Sequence, residues 1–175
     1  LPIDTSVYNF ITKHFISDSL TPILKVITQF GGTILMIVWA IASLVLITNK
    51  RIAVSVVSNL VLIALLNNIL KLIVRRDRPT GFRLIEETGY SFPSGHSMVS
   101  MAFYGYLIYM IYKNVKNKKL CWTLITCFSL LILIIGMSRI YLGVHYTSDV
   151  FAGFLFSIGY LVVYIKFTDP IVFQK

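Results

Sequence analysis

Long apolar runs constrain this chain more than any other feature. Residues 31–48, 52–74, 120–137 and 148–165 are apolar stretches of membrane-spanning length, and a fifth run, 97–112, is interrupted by polar residues. A helix needs roughly 20 such residues to cross about 30 Å of hydrocarbon, so the runs predict a polytopic bundle of transmembrane helices. A transmembrane β-barrel would show segments of about ten residues alternating apolar and polar, which none of the runs does. Composition points the same way. Hydrophobic residues make up 57% of the chain and charged residues 13%, and the mean hydropathy is +0.80. Such values exclude a disordered chain and an ordinary soluble domain. Sixteen Lys and Arg against seven Asp and Glu leave a net charge of +9. In so apolar a chain that excess serves membrane topology or holds an anion, and it argues against a nucleic-acid partner.

Two Lys-rich links, residues 49–51 and 113–119, fall on one side together with Lys166 and Lys175 when the chain is walked through five crossings. Positive charge marks the cytoplasmic side, so the segment before residue 31, the loop 75–96 and the link 138–147 face outward. The cluster from Arg75 to Arg83 breaks that charge rule and invites a functional reading. Between residues 5 and 30, Val7, Phe10, Ile11 and Phe15 form an apolar stripe at helical spacing, Thr5 or Ser6 can cap it, and Pro22 opens a second piece. The expectation is a set of helices lying in the outer interface; the alternative is a poorly ordered tail. His14 has no evident partner there. Cys121 and Cys127, six residues apart in one run, fall on separated helix faces and cannot staple the fold. Leu1 in place of Met adds the expectation of an upstream segment, either a targeting peptide or a further span.

The polar residues within and between the runs carry the chemistry. Asn67, Lys71 and Arg75 recur every four residues and predict one polar helix face near the outward end of the second run. An ionisable group at such depth looks into a cavity or toward a partner, although Lys71 taken alone could simply snorkel to the headgroups. In the following loop comes Phe92-Pro93-Ser94-Gly95-His96. Gly95 permits close backbone approach, and the helix start beyond it offers free N–H groups to an anion; Pro-Ser-Gly by itself is only a turn signal. In the other outward link, His145 and Asp149 stand at i and i+4 and can meet if the helix begins by His145. An aspartate that takes the Nδ1 proton leaves Nε2 unprotonated and able to attack an electrophile, whereas an isolated pair would be a surface hydrogen bond. Lys71, Arg78 and Arg139 would supply cations to a phosphate carrying roughly −1.5 to −2 charges. By elimination His96 is left to protonate a leaving alkoxide. Glu86 and Glu87 are expected to form a solvated patch, and the few acids lack the clustering of a two-metal site.

Taken together, Lys71 with six residues to Arg78-Pro79, then Pro93-Ser94-Gly95-His96, then Ser138-Arg139 with five residues to His145 and three to Asp149, resemble the three-part signature of the type 2 phosphatidic acid phosphatase (PAP2) family. The resemblance implies an all-α membrane bundle of six spans, one of them preceding Leu1. The chain would be a single domain: interfacial helices over 1–30, a transmembrane core over 31–165, and active-site loops at 75–96 and 138–147. It further implies a metal-independent phosphatase with no cofactor, in which His145 forms a phosphohistidine, Asp149 supports it, and His96 acts as acid and then assists water. Lys71, Arg78, Ser94, Gly95, His96 and Arg139 would hold the phosphate. The substrate implied is a lipid phosphate at the outer leaflet, of the phosphatidylglycerol phosphate, phosphatidic acid or undecaprenyl pyrophosphate kind. Soluble relatives with the same signature, the secreted acid phosphatases and vanadium haloperoxidases, do not fit five apolar runs. A non-catalytic binder of anionic lipids is the competing class, and it has no need of the His145 and Asp149 pair.

Overall fold

The computed structural model describes residues 2–173; Leu1 and Lys175, which enter the expectations about an upstream segment and terminal charge, lie outside the described residues. No strand occurs among the described residues. In chain order the helices are α1 (Pro2–His14), α2 (Leu20–Thr28), α3 (Thr33–Leu46), α4 (Lys50–Val74), α5 (Gly95–Asn114), α6 (Lys118–Tyr141) and α7 (Thr147–Val172), with a single 3-10 turn at Gln29–Gly31 between α2 and α3.

Local chemistry explains where the helices start. Asn49 and Asn117 cap α4 and α6 by accepting the Arg51 N–H (3.0 Å) and the Leu120 N–H (3.1 Å). Each apolar run coincides with a helix, but the ends differ. Run 31–48 yields only the 14 residues of α3, because Gly32 and Ile47 are both extended and cut it at each end. The N-terminal helix starts at Pro2, so Thr5 and Ser6 lie inside it and cap nothing. His14 is not without a partner: its Nδ1 lies 3.0 Å from the Phe10 carbonyl oxygen and its ring 4.9 Å from that of Phe10. By length and composition α4, α6 and α7 are each able to cross a membrane, and Leu20–Gln29 with Thr33–Leu46, bent by 42°, would make a fourth span. The 20 residues of α5 carry Ser97, Ser100, Tyr104, Tyr106 and Tyr109, which make it too polar to pass alone.

That polar helix is the centre of the bundle. Helices α4, α6 and α7 pack around α5, with Val56, Leu60, Phe103, Tyr106, Ile135 and Leu161 in the core. Close approach is possible because Gly153 of α7 faces α5: a Cβ there would lie 3.1 Å from the Ser94 carbonyl oxygen and 3.1 Å from Ser97 Cβ. Hydrogen bonds replace apolar packing deeper in the bundle, where Tyr106 donates to Ser55 Oγ (3.0 Å) and Asn59 Nδ2 to the Ala102 carbonyl (3.2 Å). Outward-facing side chains are apolar and exposed, among them Leu155 at 69% and Val162 at 66%, as suits a lipid-facing surface. A separate cluster of Tyr141, Leu142 and Val144 with Ile11, Ile16, Leu20 and Leu84 seats α1 and α2 against the loops joining α4 to α5 and α6 to α7.

Candidate active site

The two loops at this end of the bundle converge on His145. Its ring is buried, with Nδ1 3.5 Å from Asp149 Oδ2 and 3.4 Å from Ser91 Oγ. The contact arises differently from the spacing argument. Helix α7 begins at Thr147, so His145 is outside it. Asp149 instead folds back over the helix start, accepting the Tyr146 N–H through Oδ2 at 2.9 Å and a hydrogen bond from Ser91 Oγ. On the other side of the ring, Arg78 Nη1 is 3.2 Å from Nε2. A guanidinium only donates, so Nε2 carries the lone pair and Nδ1 the proton. Burial pushes the imidazole down to about 4, the Asp149 hydrogen bond resisting and Arg78 and Arg139 reinforcing the shift. His145 is therefore neutral at neutral pH.

Arg78 is itself fixed by the backbone. It donates to the carbonyls of Gly89, Thr88 and Val144, each at 3.0 Å. Gly143 makes the neighbouring turn possible: its φ is +74°, and the Phe82 carbonyl oxygen occupies the space a Cβ would need. Lys71 donates to the Tyr90 carbonyl, and Asn67, one turn earlier on α4, donates to the Pro93 carbonyl at 3.2 Å. Arg139, 1% exposed, donates to Thr28 Oγ1 at 3.0 Å and to Glu87, while its Nε has no partner.

Lys71, Arg78, Gly95, His96 and His145 line the polar end of one cavity of about 440 Å³, whose apolar end runs between α3 and α4 past Met36, Ile37, Ala40, Leu60, Val61 and Ala64. Arg139 lines an adjoining cavity of about 420 Å³ with Thr28 and Lys25, and Glu87 and His96 belong to the walls of both. Ser94 and Asp149 lie behind this surface. The Ser94 hydroxyl accepts from Ser97 N–H (3.4 Å) and Ser97 Oγ (3.0 Å) at the start of α5 and so serves as its cap.

Two expectations are corrected. Arg75 leaves the Asn67 and Lys71 face: it ends α4 in the left-handed region (φ 49°), and its Nε turns back to the Leu72 carbonyl at 2.9 Å. Glu87 is not part of a solvated patch, because one oxygen takes a hydrogen bond from Arg139 and the other lies 3.8 Å from Arg78 Nη2; only Glu86 is exposed. The two facing guanidinium groups draw one carboxylate partly out of water.

Sequence spacing missed a second layer. Arg76 donates to Asp149 Oδ1 and to Asp4 Oδ2, both at 2.8 Å, and to Ser148 Oγ at 2.6 Å, and it stacks 4.0 Å over the Tyr146 ring. Asp4, buried on α1, also accepts from Ser148 N–H (2.9 Å) and Oγ (2.8 Å). Burial would raise the Asp4 carboxyl, but Arg76 and Ser148 outweigh it and hold the group down at about 2. The only signal available in the sequence was an Arg cluster on the wrong side for the charge rule.

The family model of the PAP2 superfamily matches residues 51–172, a stretch that contains every one of the converging motif residues. This chain belongs to the PAP2 superfamily. As a PAP2 protein it is 38% identical over 105 residues to phosphatidylglycerophosphatase B of Bacillus subtilis, covering 58% of this chain and 49% of that protein. The match thus spans about half the length of that relative. Undecaprenyl-diphosphatase of Sulfolobus acidocaldarius is 27% identical over 161 residues, covering 87% of this chain and 74% of the relative. Among solved structures, the transmembrane PAP2 type phosphatidylglycerolphosphate phosphatase from Bacillus subtilis superposes with a TM-score of 0.82 at 24% identity, over 98% of this chain and 89% of the other. Aquifex aeolicus LpxE gives 0.67 at 21% identity, over 93% and 94%. At these identities the structural likeness concerns the fold.

Proposed function

We propose that this chain is a lipid phosphate phosphatase working through a phosphohistidine at His145, with its site at the outer leaflet. The carrying observation is His145 itself: a neutral, buried imidazole with Nδ1 against Asp149 and Nε2 turned toward Arg78, at the head of a cavity whose other end is apolar. Nε2 attacks the phosphorus of the monoprotonated phosphate and the bond from phosphorus to the lipid oxygen breaks; His96, held neutral in the free protein by burial and by the cations around it, relays the proton that the substrate brings to the departing alkoxide. Asp149 stabilises the positive charge that develops on the His145 ring. Lys71, Arg78 and Arg139, with the N–H groups at Gly95, hold the non-bridging oxygens, where their interaction strengthens as charge shifts in the transition state. In the second half, water attacks the phosphohistidine, His96 takes its proton, and free phosphate and neutral His145 are regenerated.

The apolar end of the cavity favours a lipid over a soluble ester, since a chain of methylenes can lie between α3 and α4. The phosphatidylglycerophosphatase and undecaprenyl-diphosphatase names of the relatives set the range of substrates to test. For topology, α3 alone spans only about 21 Å at 1.5 Å per residue, so α2 and α3 together form the first of five crossings and α1 alone lies in the interface. The site then opens on the face opposite the Lys-rich links. The test is phosphate release in detergent, with chelator present, from a panel of lipid mono- and diphosphates. Turnover that His145→Ala abolishes while the variant keeps its elution profile and Tm supports the reading; turnover retained by His145→Ala, or none on any substrate, overturns it.

A further inference from the structure

Resting on that reading, one acidic side chain has no role in it and yet stands in the middle of the site. Glu87 bridges Arg139 Nη2 and Arg78 Nη2, the two guanidinium groups assigned to the phosphate oxygens. The guanidinium groups cannot follow the carboxylate away. Arg139 is 1% exposed and tied to Thr28, and Arg78 is held by three backbone carbonyls. Glu87 is 28% exposed and sits on an irregular loop, so it is the movable member. It also belongs to the wall between the two cavities.

We propose that Glu87 is a specificity-determining residue, an internal carboxylate that occupies the phosphate position between Arg78 and Arg139 and must be displaced by the substrate. A lipid phosphate has tail contacts in the groove with which to offset that displacement. Free phosphate and short soluble monoesters lack them and are held off. After turnover the returning carboxylate helps expel inorganic phosphate, which bears the same kind of charge and uses the same donors.

Binding of inorganic phosphate and of vanadate, read by calorimetric titration of the detergent-solubilised protein, tests this without turnover. Glu87→Gln and Glu87→Ala are expected to bind both anions at least about tenfold more tightly, because one like charge is removed at contact distance in a partly buried site. Their kcat/KM on a short soluble monoester should rise relative to a lipid phosphate. Glu86→Gln, which removes an exposed acid on the rim of the same cavity, should change both far less. Unchanged or weaker anion affinity in both Glu87 variants would show that the carboxylate orients Arg139 rather than competing, and failure of both to fold would make it structural; either result overturns the proposal. Should the wild type release no phosphate from any lipid, the phosphatase reading fails while the anion-binding comparison still decides the role of Glu87.

Discussion

At the scale of single residues, the protonation state of His145 is the quantity on which the proposed phosphohistidine chemistry turns. An ordinary imidazole near 6.5 would be partly cationic near neutral pH and that fraction unable to attack, whereas burial among arginines pushes this one down to about 4. The acid limb of kcat/KM, after correction for the second ionisation of the phosphate at about 6, is therefore expected close to 4, and an enzyme limb at 6 to 7 would contradict it. Stability carries the same sign. The unfolded chain takes up this proton at about 6.5 and the folded chain only at about 4, so the contribution is complete above 6.5 and is lost as pH falls between the two. The gathering of Lys71, Arg78, His96, Arg139, His145 and Asp149 at one end of the bundle was legible in the sequence through the three-part signature they spell. Glu87 was not: its partners Arg78 and Arg139 come together only in the folded chain, and two adjacent acids read locally as a solvated patch.

At the scale of elements, the unexpected connection is between α1 and α7. Arg76 divides its donors between Asp4 and Asp149, so the first helix is ionically tied to the carboxylate that orients His145. Removing one partner of a buried pair leaves the other charge unsatisfied and costs about 3–5 kcal/mol in fully buried cases. Arg76 is 24% exposed, so Asp4→Asn is expected at or below the low end of that range. Its readouts are a lower Tm and a fall in kcat larger than the change in KM, with Asp4→Glu recovering part of the loss. Equal activity in Asp4→Asn would mean that α1 is only a cover. Helix ends were the least legible feature. The apolar pattern marks α3 and α7 correctly in the middle, but the backbone chemistry of Gly32, Tyr146 and Asp149 sets their first residues, and hydropathy does not register it.

At the scale of the whole molecule, the bundle was legible as five apolar runs, while the groove proposed to take the lipid chain was not. The groove between α3 and α4 is lined in part by the small side chains of Ala40 and Ala64. In sequence those alanines are indistinguishable from any others in an apolar run. If the groove holds the lipid chain, filling it should separate the tail from the phosphate. Ala64→Phe is expected to lower kcat/KM on long-chain lipid phosphates by about tenfold or more, since several buried methylenes lose contact at about 0.8 kcal/mol each. A soluble monoester with no tail, whose contacts are confined to Lys71, Arg78, His96 and His145, should change little. The comparison is made on one preparation with both substrates. A parallel loss on the two would mean that the substitution disturbs α4 around Asn67 and Lys71, and a loss on neither would place the lipid chain outside this groove, against the exposed apolar face of the bundle.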